Sequence, residues 1–591
     1  MAELKSIQDL ANEWISLDQN PDTSNEIKSL VAANNIAELE KCLRNRIQFG
    51  TAGLRSKLQA GFSRMNELTV LQASQGLATY VERTVTNAKE RGIVIGHDHR
   101  HNSLAFAQLT ACAFITKGFK VYYYDKLVHT PLVPFGVEIL SAACGVMITA
   151  SHNPAPDNGY KVYWDNGCQI ISPHDKGISK AIDENLVPWV WNKDLVNSSS
   201  LVERPLKQIE DAYFTVLAKL AGGKHIDPAL KFVYTPMHGV GLPYALKATA
   251  LVGASPGVNF FNFPEQSEPD PDFPTVKFPN PEEHGALDLP IKFADEHLIS
   301  IVLASDPDAD RFNAAVKGKN GKWVQLNGNE IGILFAYYIY QSKKDKNLAM
   351  LNSTASSRIL SAFAEVEGFY YEETLTGFKW IGNRALELEK KGYVVPFAFE
   401  EAIGYMFEGL HDKDGISATL VFLKLVDWAS SIFKDVPPAE GVLQLLNEIY
   451  LKYGYFESNN SYYVSLDPAV TERVFAGIRS IKNSEEGLYQ YPETVGARKV
   501  TYWRDLTIGY DSSTPDHVPL LPVSKSSQMI TCSLDDNVRI TIRGSGTEPK
   551  LKVYIEAKSN STDSAKAIAR AVWHDLEKEW FKPDETGLLK A

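Results

Sequence analysis

The order of apolar and polar positions predicts that strands and helices alternate along most of the chain. Short apolar runs that end in polar loops, GIVIGHDHR (92–100) and FKVYYYD (119–125), predict buried strands. Between them, LAFAQLTACAFITKG (104–118) has apolar residues at helical spacing. Strands that alternate with helices in this way predict βαβ units and a mainly parallel sheet.

The same pattern occurs twice more. The segments KFVYTPMHGVG (231–241) and SIVLASDPDADRF (300–312) predict strands of a second α/β set. A third set contains LAMLNSTASSR (348–358) and GYVVPFAFEEAIGY (392–405). Each of these strands ends in a polar loop, and the carboxyl edge of such a sheet is where ligands usually bind.

The two ends of the chain follow other patterns. The first stretch, to about Arg46, is polar with helical spacing, and Pro21 marks a predicted helix start. From about Tyr455, the segment NVRITIRGSGTEPKLKVYIEAKS (537–559) predicts two strands paired through a turn. The segment TDSAKAIARAVWHDLEKEWF (562–581) predicts a closing helix.

We therefore expect an α/β protein with three consecutive α/β domains and a C-terminal α+β domain that has an antiparallel sheet. A chain of 591 residues is too long for a single core. The expected domains are 1–205 with an N-terminal helical extension, 206–325, 326–450 and 451–591.

Composition and charge narrow the classes of function. The chain is 44% hydrophobic and 22% charged, which is ordinary for a soluble globular protein. A net charge of -12 argues against a general nucleic-acid binder but leaves an anionic small substrate open, because a site needs only a few cations.

Cysteine usage and the termini indicate the compartment. The 5 cysteines are scattered, with no CxxC pair, so we expect neither a disulfide framework nor a structural zinc site. The start, MAELKSIQDL, lacks the apolar core of a signal peptide, and we see no apolar run long enough to span a bilayer. We expect a cytoplasmic protein without a membrane partner.

A serine follows one of the predicted strands. In CGVMITASHNPAPDNGYKVYW (144–164), the apolar run ends just before Ser151, and a Pro, Asn and Gly turn leads to Lys161. Ser151 would then lie at the carboxyl edge of the sheet, where the turn would bring Lys161 back towards it. An ordinary strand and turn is the alternative.

Three aspartates follow another predicted strand. In ASDPDADR, Asp306, Asp308 and Asp310 offer oxygen ligands at alternate positions, which suits a hard divalent cation. An EF-hand would need Gly and Glu where the chain has Arg311 and Lys317, so we reject it. A solvated acidic turn is the other interpretation.

Further loops carry groups suited to anions and hydroxyls. They are RGSGTEPK (543–550), FGTAGLR (49–55), TLTGFKWIG (374–382), FEEAIGY (399–405) and HDKDG (411–415). Each alone is more typical of a solvated turn. Together with the serine and the aspartates they form the equipment for moving a phosphoryl group on a sugar, a reaction that depends on positioning and charge neutralisation.

A set of five motifs, taken in their order along the chain, resembles the α-D-phosphohexomutase superfamily. The motifs are TASHNP, DPDADR, TGFKWIGN, FEEAIGY and RGSGTEP. The resemblance implies four domains, a phosphorylated serine, one Mg²⁺ per chain and a sugar bisphosphate as activator. It implies catalytic roles for Ser151, His152, Arg55, Lys161 and Lys413. It implies metal ligation by Ser151, Asp306, Asp308 and Asp310. It implies substrate binding by Arg311, Thr376, Gly377, Lys379, Glu400, Glu401, Arg543, Ser545, Gly546 and Thr547.

Within the superfamily, PDPDFPTVKFPNPEE (269–283) and FEEAIGY are similar to the eukaryotic phosphopentomutase/phosphoglucomutase-2-type branch. Many hexose enzymes of the superfamily have serine two residues after the first glutamate of this loop, where this chain has Ala402. The resemblance thus implies one hydroxyl contact fewer to the sugar, which favours a pentose.

The expected reaction interconverts ribose 1-phosphate and ribose 5-phosphate, with glucose 1-phosphate and glucose 6-phosphate as secondary substrates. A glucose 1,6-bisphosphate synthase and a non-catalytic sugar-phosphate-binding regulator are the alternatives, and intact Ser151 and aspartates argue against the regulator. His152 is one candidate for the general base, which the sequence leaves open. We expect sugar phosphates as partners, no nucleic acid, and a monomer or weak homodimer.

Overall fold

The computed structural model describes most of the chain, in two compact units. The first unit comprises Met1–Leu351 and Gly377–Gln444, and the second comprises Asn352–Thr376 and Leu445–Ala591. The residues that the structure describes are 5–51, 53–343, 347–465, 467–479, 491–525, 527–545 and 550–590.

Three helices precede the first sheet: α1 (Ile7–Leu17), α2 (Pro21–Ala32) and α3 (Ile36–Leu43). Pro21 is the first residue of α2, as predicted, and the Asn20 side chain accepts hydrogen bonds from the Asp22 and Thr23 N–H groups. Trp14 is fully buried edge-on against Phe62, with ring centroids 5.1 Å apart. The helical extension therefore shares a core with the first domain.

The first α/β domain has a six-stranded sheet in the order β1-β5-β4-β2-β3-β6. The pairs β4–β2, β2–β3 and β3–β6 are parallel, and only the two pairs that β5 makes, with β4 and with β1, are antiparallel, which confirms the prediction of a mainly parallel sheet here. The elements are β1 (Leu54–Lys57), α4 (Glu67–Thr84), α5 (Ala88–Arg91), β2 (Ile93–His97), α6 (Ser103–Thr116), β3 (Val121–Tyr123), α7 (Leu132–Leu140), β4 (Cys144–Ile148), β5 (Asp157–Tyr163), α8 (His174–Asp183), α9 (Leu195–Ser198) and β6 (Val202–Glu203).

The second domain has a sheet in the order β11-β10-β9-β7-β8. Its elements are α10 (Leu206–Ala221), β7 (Phe232–Thr235), α11 (Leu242–Ala250), β8 (Phe260–Asn262), α12 (Asp288–Glu296), β9 (Ile301–Ser305), β10 (Phe312–Lys317) and β11 (Trp323–Gln325). The pairs β8–β7 and β7–β9 are parallel, but the pairs β9–β10 and β10–β11 are antiparallel, so this sheet is mixed rather than mainly parallel. The reason is the short loop after β9, which contains no crossover helix and so returns the chain antiparallel.

The third α/β region ends in an antiparallel pair, β14 and β15, joined by a tight turn in which Glu400 lies opposite Gly404. In the first unit, α15 packs against the start of β12 and against β14 and β15 in a small buried core. The elements are α13 (Gly328–Ser342), β12 (Leu348–Ser353), α14 (Ile359–Glu367), β13 (Tyr370–Thr374), α15 (Phe378–Lys390), β14 (Val394–Glu400), β15 (Gly404–Phe407), α16 (Gly415–Ile432) and α17 (Pro438–Tyr453).

Helix α16 corrects one expectation. By length and composition alone it is apolar enough to cross a membrane, with a mean hydropathy of 1.3 over 18 residues, whereas the sequence analysis found no such run. In the structure, 67% of that stretch is buried inside the protein, and it packs against α10 and α11. Its apolar character is therefore explained by burial in the protein core.

The second unit contains the C-terminal sheet, whose main order is β18-β19-β21-β22-β23-β17-β24 with antiparallel neighbours, as predicted. The predicted closing helix forms but is followed by a π-helical turn, Glu577–Phe581, and by a short strand that pairs with β17. The elements are β16 (Tyr455–Ser458), β17 (Ser461–Val464), α18 (Pro468–Arg479), β18 (Thr494–Val495), β19 (Arg498–Asp505), β20 (Tyr510–Asp511), β21 (Met529–Leu534), β22 (Val538–Gly544), β23 (Lys550–Ser559), α19 (Thr562–Leu576), α20 (Pro583–Thr586) and β24 (Leu589–Lys590).

A buried ion-pair cluster explains why residues 352–376 belong to the second unit. Glu373, at the end of β13, accepts hydrogen bonds from Arg504 on β19 and from Arg539 on β22. Burial raises the pKa of Glu373, but the two guanidinium groups outweigh it and lower the pKa to about 2. The cluster ties β13 to the C-terminal sheet.

Candidate functional site

The serine loop begins at the carboxyl end of β4, a strand whose residues are all buried. Ser151 is itself buried and has φ +52°, in the left-handed region that a serine rarely adopts. Its N–H donates to Thr149 Oγ1 at 2.9 Å. Strand β5 then returns antiparallel and places Lys161 opposite Met147.

The aspartate loop begins at the carboxyl end of β9 and meets the serine loop. Asp306, Asp308 and Asp310 are fully buried, with one ligand oxygen from each lying within 4.8 Å of the others. The Ser151 hydroxyl donates to Asp306 Oδ2 at 2.7 Å, across 155 residues of sequence. The structure therefore brings the predicted serine and the predicted metal ligands together.

These residues fit a divalent cation. The Oδ1 atoms of Asp308 and Asp310 are buried and accept no hydrogen bond from the residues that the structure describes. Burial, followed by the charges of the other two aspartates, raises the pKa of Asp306 well above its usual value. Carboxylates this close repel one another, and a hard cation that takes oxygen ligands relieves that repulsion.

Two lysines contact Asp308 and Asp310. Lys161 Nζ lies 2.7 Å from Asp308 Oδ2 and 2.8 Å from Asp310 Oδ2, and Lys413 Nζ lies 2.9 Å from Asp310 Oδ2. Burial raises the pKa of Asp308, but the Lys161 charge and hydrogen bonds outweigh it and lower the pKa. The lysines thus contact only the Oδ2 atoms of Asp308 and Asp310, and the Oδ1 atoms of these two carboxylates remain available to a cation.

His152 lies beside Ser151, and Arg55 and Arg311 contact its neighbours Asn153 and Asp306. Arg55 Nη1 donates to Asn153 Oδ1 at 3.1 Å, and the Arg311 N–H donates to Asp306 Oδ1 at 2.9 Å. Burial, then the charges of Arg311 and Arg55, lowers the pKa of His152 well below its usual value. Its Nδ1 lies 3.4 Å from Ser151 Oγ. A neutral imidazole here can accept a proton from an attacking hydroxyl.

The predicted sugar loop lies in the first unit. Glu400 ends β14, and Glu401, Ala402 and Ile403 form the turn to β15. The Phe312 N–H donates to Ile403 O at 3.1 Å, which fixes the turn against the strand that follows the aspartate loop. Glu400 is close enough for its charge to act on Arg311 and Lys413.

Two other predicted loops also join the first unit's site. Gly377 precedes α15 with φ +104°, a conformation that favours glycine, and Lys379 Nζ in the first turn of α15 donates to Thr51 Oγ1. Thr51 belongs to FGTAGLR. Gly415 N–H donates to Ala309 O at 3.1 Å, which holds the loop carrying Lys413 on the aspartate loop.

The remaining predicted residues belong to the second unit. Thr376 ends its first segment. At the end of β22, Arg543 Nη2 donates to the Tyr554 hydroxyl at 3.2 Å, and the Ser545 N–H donates to Lys550 O at 2.8 Å. Gly546 and Thr547 lie outside the described residues.

Sequence reasoning missed Thr130. Its hydroxyl donates to Asp308 Oδ2 at 2.5 Å, and its N–H donates to Asp308 O at 2.9 Å, so it orients a predicted metal ligand. Thr130 follows β3, a parallel neighbour of β2. The rule that the carboxyl ends of parallel strands share one sheet edge would have identified it.

Comparison with known families covers most of the chain. The models of the phosphoglucomutase/phosphomannomutase family match in chain order: α/β/α domain I at residues 46–187, domain II at 211–320, domain III at 327–439 and the C-terminal domain at 524–573. These matches confirm the predicted fold of three α/β domains and a distinct C-terminal domain.

Curated relatives align over nearly their full length. Phosphoribomutase of Saccharomyces cerevisiae is 50% identical over 99% of this chain and 98% of that protein. Phosphopentomutase of Mus musculus is 46% identical over 98% of this chain and 95% of that protein. Glucose 1,6-bisphosphate synthase of Homo sapiens is 41% identical over 98% of this chain and 94% of that protein.

Solved structures share the fold. A phosphoglucomutase of Paramecium, pp63/parafusin, superposes with a TM-score of 0.64 at 20% identity, covering 90% of this chain and 94% of that one. The N-acetylphosphoglucosamine mutase of Aspergillus fumigatus, in complex with GlcNAc-6P and magnesium, has a TM-score of 0.51 at 15% identity, covering 98% and 99%. The four matched domains and the full-length relatives show that this chain belongs to the phosphoglucomutase/phosphomannomutase family, in the phosphopentomutase branch of the α-D-phosphohexomutase superfamily.

Proposed function

We propose that the protein is a phosphosugar mutase in which Ser151 carries the phosphoryl group. The observation behind this proposal is that Ser151 Oγ lies 2.7 Å from Asp306 Oδ2, within a buried aspartate cluster that also binds Lys161 Nζ and the Arg311 N–H. Relatives named phosphoribomutase and phosphopentomutase support ribose 1-phosphate and ribose 5-phosphate as the preferred pair. Glucose 1-phosphate and glucose 6-phosphate are the proposed secondary pair.

In the proposed reaction, the resting enzyme holds phosphate on Ser151. The free hydroxyl of the sugar 1-phosphate attacks that phosphorus, the bond from phosphorus to Ser151 Oγ breaks, and a sugar bisphosphate forms. The hydroxyl's proton passes to a base, for which we propose the neutral imidazole of His152. The bisphosphate then reverses its orientation in the site. Its other phosphoryl group is transferred to Ser151, and the sugar 5- or 6-phosphate is released.

We propose that Asp306, Asp308, Asp310 and the Ser151 phosphate hold one Mg²⁺, the metal in the Aspergillus mutase complex. When bound, it supplies neutralisation of the charge on the transferring group. Arg55, Lys161, Arg311 and Lys413 would orient the phosphoryl oxygens by charge-assisted hydrogen bonds.

Substrate binding is divided between loops in this proposal. Glu400 and Glu401 would bind sugar hydroxyls, with Thr376, Gly377 and Lys379 lining the sugar site. Arg543, Ser545, Gly546 and Thr547 would hold the phosphate that is not transferred. The sequence alone supports four further proposals. They are a sugar bisphosphate as activator, a cytoplasmic location, a monomeric or weakly dimeric state, and the domain bounds 1–205, 206–325, 326–450 and 451–591.

The test follows phosphate through Ser151. We expect the purified enzyme to show a phosphate mass increase on the TASHNP peptide, to lose it to sugar monophosphate in one turnover, and to regain it from bisphosphate. Ser151→Ala should lose the label and the activity, while Ser198→Ala, at an exposed position, should keep both. Isotopic phosphate that bypassed Ser151 during turnover would refute the carrier role.

A glucose 1,6-bisphosphate synthase is the second candidate, because a relative with that name is 41% identical. A synthase needs an external acyl-phosphate donor, whereas a mutase needs only a trace of bisphosphate. Ribose 1-phosphate and glucose 1-phosphate should therefore be assayed in parallel, with bisphosphate or with an acyl phosphate. Turnover only with the acyl phosphate would identify the synthase.

A further inference from the structure

We infer that Arg100 is a positioning residue for the serine loop and that Phe273 of the second domain covers the Arg100 guanidinium. This inference rests on the proposed role of Ser151 as phosphoryl carrier. Phe273 lies in PDPDFPTVKFPNPEE (269–283), a segment that stood out in the sequence and has no part in the proposed chemistry.

The Arg100 guanidinium donates to four backbone carbonyls of the serine loop. Nη2 donates to Ser151 O and to Asn153 O, both at 2.6 Å. Nη1 donates to Pro154 O at 3.0 Å and to Asp157 O at 3.2 Å. One side chain thus holds the backbone from the serine to the first residue of β5.

This arrangement needs an arginine. The guanidinium is planar and presents N–H groups in a fixed fork, whereas a lysine ammonium is a single point with three donors and cannot span four carbonyls. The Arg100 side chain is 0% exposed, and its charge is opposed by Asp98, whose Oδ2 lies 3.5 Å from Nε. Asp98 Oδ1 also accepts from the Arg100 N–H at 3.0 Å and from the Ser103 hydroxyl at 2.6 Å. These hydrogen bonds hold the backbone from which the Arg100 side chain extends.

The restrained loop presents the nucleophile. Ser151 has φ +52°, a conformation that is strained for serine and persists only where its surroundings hold it. The bond from Arg100 to Ser151 O and the bond from the Ser151 N–H to Thr149 Oγ1 hold the residue on both sides. Because phosphoryl transfer depends on positioning, release of this loop should slow transfer more than it weakens sugar binding.

Phe273 closes the other side of the guanidinium. The Arg100 guanidinium carbon lies 4.8 Å from the ring centroid, and the ring is 2% exposed. The ring also packs edge-on against His99 at 5.5 Å, and the neighbouring Asp272 accepts from His101 at 2.8 Å. The aromatic face attracts the cation and excludes water that would compete for its hydrogen bonds. The 269–283 segment therefore acts on the serine loop through Arg100.

The first experiment replaces Arg100 in the full-length protein. For Arg100→Lys we expect kcat and the single-turnover rate of phosphoryl loss from Ser151 to fall roughly 10²-fold, while KM for ribose 1-phosphate changes less than about threefold. The matched control is Arg91→Lys, because Arg91 also donates to loop carbonyls, Ser141 O at 2.9 Å and Ala142 O at 3.1 Å, on another loop of the same domain. The control should keep the wild-type transfer rate.

The second variant is Phe273→Leu, which conserves an apolar side chain but removes the aromatic face. We expect a fall of about tenfold in the transfer rate, with KM retained and the melting temperature close to wild type. If Arg100→Lys does not fold, Phe273→Leu decides alone. A wild-type transfer rate in the folded Phe273→Leu protein, or in folded Arg100→Lys, would overturn the inference.

The two proposals fail differently. If Ser151→Ala keeps mutase activity, Ser151 is not the carrier and the proposed function falls, together with this inference. If Ser151→Ala is inactive while Arg100→Lys and Phe273→Leu transfer phosphate at the wild-type rate, only the inference falls. A loss in Arg100→Lys confined to KM would also overturn it, because that result places Arg100 in substrate binding.

Discussion

The two carboxylate oxygens of Asp308 differ in their hydrogen bonding. Oδ2 accepts from Lys161 and Thr130, and Oδ1 accepts no hydrogen bond from the described part of the chain. Asp308→Asn removes the negative charge that would bind a cation, so we expect kcat to fall by at least about 10²-fold. The measurement is turnover against Mg²⁺ concentration, and excess chelator should abolish the wild-type rate.

Asp288→Asn, at an exposed position on α12, is the control. Its turnover should depend on Mg²⁺ concentration as that of the wild type does. Full wild-type activity in excess chelator would exclude the metal assignment.

Ala402 is the residue at which the chain departs from the hexose pattern. It lies in the turn between β14 and β15, half-buried beside Glu401. A serine there adds one hydrogen bond to a sugar hydroxyl, worth about 0.5–1.5 kcal/mol, or roughly threefold to tenfold. We therefore expect Ala402→Ser to raise kcat/KM for glucose 1-phosphate relative to ribose 1-phosphate, without abolishing the latter.

Both substrates should be assayed in parallel, with Glu400→Gln impairing both as the reference. An unchanged ratio in Ala402→Ser would mean that another part of the site sets the preference.

Among the elements, the hairpin of β22 and β23 carries the proposed phosphate clamp. Arg543 lies in the last two residues of β22, and the Ser545 N–H donates to Lys550 O at 2.8 Å. A charge-assisted hydrogen bond is worth about 1.5–3 kcal/mol, so Arg543→Ala should raise KM roughly tenfold to 10²-fold. Phosphorylation of Ser151 should survive, because Ser151 is on a different loop.

Steady-state kinetics and the mass of the TASHNP peptide measure the two effects separately. Unchanged KM and kcat in Arg543→Ala would show that Arg543 has no part in binding.

On the scale of the whole molecule, His411 joins two domains within the first unit. It hydrogen-bonds Glu138 on α7 at 3.0 Å and Glu389 on α15 at 3.1 Å. Burial lowers the pKa of His411, but the two glutamates outweigh it and raise the pKa to about 10. Because the folded-state pKa lies above the unfolded value, this stabilisation is full below about pH 6.5 and is lost as pH rises through about 10.

We expect His411→Gln to lower the free energy of unfolding by about 3 kcal/mol at pH 6, since it leaves two partly buried carboxylates without their cation. The difference from wild type should shrink towards pH 10. Denaturant unfolding at several pH values measures it, with His284→Gln at an exposed position as control. A difference that stayed constant from pH 6 to pH 10 would contradict the protonated bridge.

The sequence by itself determined most of the elements and proposed the site residues. Apolar periodicity and strand-end polar residues are local signals, so they located β4, β9 and the helix start at Pro21 correctly. Residue chemistry singled out Ser151 and the three aspartates as candidates, because carboxylates at alternate positions after a buried strand suit a hard cation. The mixed second sheet was missed, since strand direction depends on whether the connection contains a crossover.

Only the tertiary structure decided which residues meet. Ser151 and Asp306, or Arg100 and Phe273, are separated by more than a hundred residues, and no local pattern specifies their contact. The same holds for the pKa of His152, which depends on burial and on cations that folding brings to it from Arg311 and Arg55. Periodicity reports the neighbours of a residue along the chain, whereas the environment that gives a side chain its chemistry is assembled by the packing of domains.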